Sequence, residues 1–121
     1  MTGNTAGAVG GIFNFGGTAN IERSTISGNA AMIGGGGGIA NGYGGTLTLE
    51  QSTIDGNSAA DRGGGIRNNS ALTLTKSTVT KNSAAITGGG INSEPPGTVT
   101  LTDSKVKHNT PNRLLNELPG G

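Results

Sequence analysis

Gly63-Gly64-Gly65-Ile66-Arg67-Asn68 and the segment after it, Ala71-Leu72-Thr73-Leu74-Thr75-Lys76-Ser77-Thr78-Val79-Thr80-Lys81-Asn82, recur with light editing along the whole chain. An earlier copy runs Gly10-Gly11-Ile12-Phe13-Asn14, Thr18-Ala19-Asn20-Ile21 and Ser24-Thr25-Ile26-Ser27-Gly28-Asn29. The next runs Gly37-Gly38-Ile39-Ala40-Asn41, Thr46-Leu47-Thr48-Leu49 and Ser52-Thr53-Ile54-Asp55-Gly56-Asn57. The last runs Gly89-Gly90-Ile91-Asn92, Thr98-Val99-Thr100-Leu101 and Ser104-Lys105-Val106-Lys107-His108-Asn109. A chain written this way folds as stacked copies of one unit, each burying its apolar face only against its neighbours.

Within each copy two intervals are fixed. Five residues separate Ile21, Leu49, Leu74 or Leu101 from the next aliphatic position, and three more lead to Asn29, Asn57, Asn82 or Asn109. Length varies only around Gly34–Gly38 and in the Asn-Gly-Tyr-Gly-Gly and Ser-Glu-Pro-Pro-Gly segments, which therefore read as loops. Leu47 and Leu49 alternate with Thr46 and Thr48, the period of a strand with one buried face. Composition removes the other option, disorder. The chain carries 25 Gly and only 31% hydrophobic residues, but just 12% are charged, and the aliphatics fall at fixed intervals. Three short strands per turn with Gly, Asn and Ser corners give an all-β parallel β-helix of about four turns. Residues 1–109 form its repeats, with turns near 1–29, 30–57, 58–82 and 83–109.

The interior is expected to hold one column of Ile12, Ile39, Ile66 and Ile91. A second has Ile21, Leu49, Leu74 and Leu101, flanked by Leu47, Leu72 and Val99. A third has Ile26, Ile54, Val79 and Val106. The recurring Asn14, Asn41, Asn68 and Asn92, the Asn29 to Asn109 row and Ser24, Ser52, Ser77 and Ser104 read as corner ladders, in which amides stacked one turn apart bond to each other. The Gly pairs read as corners that permit positive φ and close packing. Met1-Thr2-Gly3-Asn4 matches Ile26-Ser27-Gly28-Asn29, so the chain opens inside a repeat. Residues 110–121 read as a cap and tail: Thr110 as helix N-cap, Pro111 as first helical residue, and Leu114, Leu115 and Leu118 on one face. The N-terminal turn lacks such a cover, which suggests end-to-end self-association.

The combination Gly-Gly-Gly-Ile-x-Asn, Thr-Leu-Thr-Leu and Ser-Thr-Ile-x-Gly-Asn resembles the right-handed parallel β-helix repeats of large bacterial surface and secreted proteins. The Gly-Gly-x-Ile and aliphatic-x-x-Asn pair is also similar to the paired motifs of chlamydial polymorphic outer-membrane proteins, with Ile26, Ile54, Val79 and Val106 where that family has Phe. The resemblance implies a pectin-lyase-like superfold, which hosts adhesins, autotransporter passengers and polysaccharide-degrading enzymes alike. It also implies an extracellular or cell-surface location, with the export signal outside this chain and a host-surface or glycan ligand.

A net charge of +1 and 2% aromatic residues argue against nucleic-acid binding. The absence of cysteine removes thiolate chemistry, and no apolar stretch is long enough for a membrane span. No cofactor or metal is expected, because the glycines lack a P-loop ending, calcium-repeat motifs are missing and His108 stands alone. Three surface features remain. Glu22 and Glu50 take the same outward position on adjacent turns, the weak candidates for a carboxylate pair acting on a polysaccharide. Thr46, Thr48, Thr73, Thr75, Thr98, Thr100 and Thr102 form rows on one face, a possible surface-binding array of the kind seen in ice-binding solenoids. Lys76, Lys81, Lys105 and Lys107 gather near the C-terminal turns. The expectation is a structural or adhesive, non-catalytic segment, with carbohydrate-active enzyme and ice binder as alternatives.

Overall fold

A computed structural model describes residues 1–111 as sixteen short strands wound into a parallel solenoid. The first turn holds β1 (Thr5–Ala6), β2 (Ile12–Phe15), β3 (Thr18–Glu22) and β4 (Thr25–Ser27). The second holds β5 (Ala30–Ala31), β6 (Ile39–Gly42), β7 (Thr46–Glu50) and β8 (Thr53–Asp55). The third holds β9 (Ser58–Ala59), β10 (Ile66–Asn68), β11 (Ala71–Thr75) and β12 (Thr78–Thr80). The fourth holds β13 (Ser83–Ala84), β14 (Ile91–Ser93), β15 (Thr98–Thr102) and β16 (Lys105–Lys107). Each turn gives one strand to each of four parallel four-stranded sheets. Beside the three expected strands, a fourth of two residues follows each corner Asn, as in β5 and β9.

The register is the one the repeats dictate. Ile39 pairs with Ile12 and Ile66, Ile66 with Ile91, Leu49 with Ile21 and Leu74, and Val79 with Ile54 and Val106. Ile39, Leu47, Leu49, Ile54, Ile66, Leu72, Leu74, Val79 and Ile91 are fully buried in one axial core. Burial of each such side chain contributes about 1.5–3 kcal/mol. Ile12, Ala19, Ile21, Leu101 and Val106 pack against this core from the outer turns and are only partly covered.

Two amide ladders seal two corners. In the first, Asn4, Asn29, Asn57 and Asn82 each donate both the backbone N–H and the side-chain amide to the Oδ1 of the Asn one turn on, ending at Asn109, over 2.8–3.1 Å. The amides of Asn57, Asn82 and Asn109 also reach back to the carbonyls of Ile26, Ile54 and Val79. In the second, Asn14 donates to Asn41 and Asn41 to Asn68, each at 2.9 Å. Its last rung corrects the sequence reading. Ser93, not Asn92, stands in register with Asn68 and accepts from it at 3.1 Å. Asn92 pairs instead with Arg67, and its buried amide bonds to Thr87 and Glu94. A serine column at a third corner links Ser24 N–H to Ser52, Ser52 N–H to Ser77 and Ser77 N–H to Ser104. Among the described residues no buried side-chain polar atom lacks a partner, as a core this rich in amides requires.

Of the two reasons expected for the Gly pairs, close packing holds and positive φ does not. Positive φ belongs to the preceding glycines, Gly36, Gly63 and Gly88. The pairs are Gly because the wall is too close for any side chain. A Cβ on Gly38 would lie 2.8 Å from the Gly65 oxygen and 3.2 Å from the Asn57 amide, and one on Gly37 would fall against the carbonyls of Gly64 and Ser58. At the first turn Met1 takes the register of Ile26, with Ser27 N–H donating to its carbonyl, yet it remains 54% exposed. Thr110 forms a parallel bridge with Ser83, and the expected cap helix falls outside the described residues.

Candidate functional site

The sheet of β2, β6, β10 and β14 carries an open groove on its outer side, about 770 Å³ in volume. Its floor is the outward column Phe13, Ala40 and Arg67, aligned by strand register. One wall is formed by Ala8, Val9, Gly34 and Gly35, and the other by Tyr43, Ser70 and Pro96 with their neighbours. Small residues keep it open. Gly35 allows the Arg67 chain to lie across it, since a Cβ there would come 2.7 Å from Arg67 Cδ.

At the N-terminal rim stand all three aromatic residues of the chain. Phe13 meets Phe15 edge-on with centroids 5.6 Å apart, and Phe15 stacks on Tyr43 at 4.2 Å. Phe15 and Tyr43 are nevertheless 63% and 73% exposed. Register explains the pairing, because Phe15 lies beside Gly42, which has no side chain to separate it from the Tyr43 turn. Tyr43 itself sits at φ 54°, a left-handed conformation that a bulky residue adopts only when its surroundings impose it. Neither Glu22 nor Glu50 lines the groove. The aromatic stack belongs to the groove sheet, where Phe15 comes from one turn and Tyr43 from the loop of the next. The signal was there: the core is wholly aliphatic, so every aromatic falls at an outward or loop position.

Arg67 ties the floor to a cluster of four charges. It lies 4.0 Å from Asp61 and 3.6 Å from Glu94, while Arg62 lies 3.8 Å from each of the same two carboxylates. The side chains are about one-third exposed, and Asn92 adds a hydrogen bond to Glu94 at 3.2 Å. Exposed single pairs are worth little. A closed quartet of this kind instead fixes where the guanidinium of Arg67 points. Asp61, Arg62, Arg67 and Glu94 come from three separate segments, and the winding of the solenoid brings them together.

The sequence-predicted surface residues lie on the adjoining sheets. Glu22 and Glu50 are register neighbours on β3 and β7, about 4.8 Å apart by strand spacing. Both are exposed, and Arg23 lies 3.9 Å from Glu22. The groove does not include them. The threonine rows share that sheet: Thr48, Thr73 and Thr100 form one row, with Asn20 at its end. Thr75 and Thr102 continue the row begun by the two glutamates. Thr46 and Thr98 are separated by Ala71, which interrupts the third row. Among the described residues no group of three or more His, Cys, Asp or Glu could hold a metal ion, and no helix is long and apolar enough to cross a membrane.

A family model described as right handed beta helix region matches residues 2–116. The chain belongs to that family. Its solenoid is thus right-handed, and the four sheets are the faces of a right-handed β-helix. No curated protein and no solved structure matches the chain. The family description speaks for the architecture and leaves the ligand to be argued from the surface of this β-helix.

Proposed function

We propose that this β-helix is a structural and adhesive segment of an exported bacterial surface protein, and that the groove over β2, β6, β10 and β14 is where it grips a glycan. The observation that carries the reading is the exposed Phe15–Tyr43 stack at the groove rim. Two flat apolar faces held open to solvent suit the C–H faces of sugar rings, and the anchored Arg67 guanidinium supplies donors for hydroxyl groups. The scaffold supports the reading too. Ladders on several corners hold the groove walls without help from a ligand, so little ordering has to accompany binding. Catalysis by Glu22 and Glu50 is a weaker reading, because the aromatic platform and the guanidinium lie over a different sheet.

The test is a glycan array followed by calorimetric titration of the best hit. Retention of a neutral oligosaccharide, with at least a tenfold loss of affinity in Tyr43→Ala and unchanged thermal unfolding, is the expected result. Absence of any retained glycan, or equal binding by Tyr43→Ala, removes the adhesive part and leaves a scaffold.

A further inference from the structure

The sheet of β4, β8, β12 and β16 is bounded on both sides by corner residues of positive φ. One corner column is Arg23, Gln51, Lys76 and Asp103; the other is Gly3, Gly28, Gly56, Lys81 and His108. The second column uses glycine, the residue suited to that conformation, until its last two turns. There it holds Lys81 at φ 56° and His108 at φ 58°. Strain accepted against the rule of the repeat is a reason to look for function.

The strand positions depart from the pattern at the same place. The outward pair is Thr25 and Ser27 on β4, Thr53 and Asp55 on β8, and Thr78 and Thr80 on β12; on β16 it becomes Lys105 and Lys107. Three separate departures therefore put an ammonium group on one face, and Lys76 adds a fourth from the opposite corner. All four lysines and His108 are exposed. Among the described residues each of the three arginines of residues 23, 62 and 67 has a carboxylate partner, whereas no ion pair engages Lys76, Lys81, Lys105 or Lys107. Asp103, next to Lys76 in its column, and Asp55, one strand behind Thr80, are the acids of the face.

We propose that this face binds a linear polysaccharide bearing sulfate or phosphate esters. Lys105 and Lys107 stand about 7 Å apart along β16, and neighbours in a corner column stand about 5 Å apart, a spacing that repeated anionic groups on a sugar chain can follow. The cations of this face that have no carboxylate partner are all lysines. They act as compact point charges that meet an oxyanion from any direction, without the fixed bidentate geometry of the arginine fork. Only Thr, Ser, Lys and their like surround them, so the face has no aromatic ring on which a nucleic-acid base could stack.

The experiment uses the full chain, with heparin and polyphosphate as the sulfate and phosphate probes. Polygalacturonate serves as the carboxylate probe and a single-stranded oligonucleotide as the base-bearing one. Binding to heparin or polyphosphate that weakens with added salt is expected, and which of the two binds tighter shows whether sulfate or phosphate groups are preferred. Lys105→Glu with Lys107→Glu should lower that affinity at least tenfold. Lys81→Gly with His108→Gly should lower it severalfold while raising the melting temperature, which separates lost contact from lost fold. Tyr43→Ala should leave it unchanged, so this surface and the groove stand or fall independently. The proposal is overturned by no heparin or polyphosphate binding at low salt, by equal binding of either double variant, or by tighter binding of polygalacturonate or the oligonucleotide.

Discussion

Each rung of the Asn4–Asn109 ladder does what no aliphatic residue could do in its place. Asn82 Oδ1 accepts two hydrogen bonds from Asn57, while its Nδ2 donates to Asn109 and to the Ile54 carbonyl. Removing that amide strands two buried donors on one turn and takes a donor from two acceptors. Asn82→Ala should therefore lower stability by about 3 kcal/mol, since each buried group left unpaired costs roughly 1–3 kcal/mol. Urea unfolding checks this against Asn69→Ala, an exposed amide whose loss should change stability by less than about 0.5 kcal/mol. Equal midpoints for the two variants would show that the ladder only decorates the corner. The same single-residue logic applies at the left-handed corners. A non-glycine residue there costs about 1–2 kcal/mol, and the repeat tolerates this at Arg23, Gln51, Lys76 and Asp103 because the serine column fixes the turn after it.

At the level of the element, the glycine triplets set how closely sheet edge and corner can approach. Gly64 packs so that an added Cβ would strike the carbonyls of Ser83 and Gly89, whereas a Cβ on Gly42 would meet nothing within 4 Å. Gly64→Ala should thus unfold the chain or lower stability by more than about 2 kcal/mol, and Gly42→Ala should be tolerated. Circular dichroism melts of the pair give the answer, and equal melting would mean that the wall relaxes freely. Strands with alternating residues were legible from the sequence, because Leu47, Leu49 and their copies repeat a period-2 pattern at constant spacing. So were the inward columns and the main amide ladder. The β5–β9–β13 strands were not, since two residues are too few to show any period. Spacing already pointed to Ser93, which follows Ile91 by two residues as Asn14, Asn41 and Asn68 follow their Ile, but the identity of Asn92, one residue after Ile91, outweighed it. The aromatic rim and charge quartet were missed for another reason: they join the strand residues Phe15 and Arg67 to Tyr43, Asp61, Arg62 and Glu94 in loops, where the repeat gives no alignment.

For the molecule as a whole, almost every interaction runs from one turn to the next, including both amide ladders and all four sheets. A solenoid of this kind is approximately additive in its repeats. Excising residues 39–65 removes one 27-residue interval and joins Gly38 to Ile66, so that a Gly-Gly-Ile corner is restored at the junction. Asn14 would then face Asn68, Ser24 would face Ser77 and Asn29 would face Asn82, each the partner type it has now. The shortened chain keeps about three turns, enough for neighbours to bury one another's apolar face. It should retain a β-rich circular dichroism spectrum and unfold cooperatively at a lower urea midpoint. Excising residues 39–52 instead joins Gly38 to Thr53, places a threonine in the Ile column and offsets every later strand, and should give an unfolded chain. Failure of the in-register deletion to fold would show that this β-helix depends on contacts beyond nearest neighbours. The same in-register deletion removes Tyr43 but none of Lys76, Lys81, Lys105 and Lys107. It should abolish glycan retention in the groove and leave heparin binding in place, because the two surfaces are written into different turns of one repeating frame.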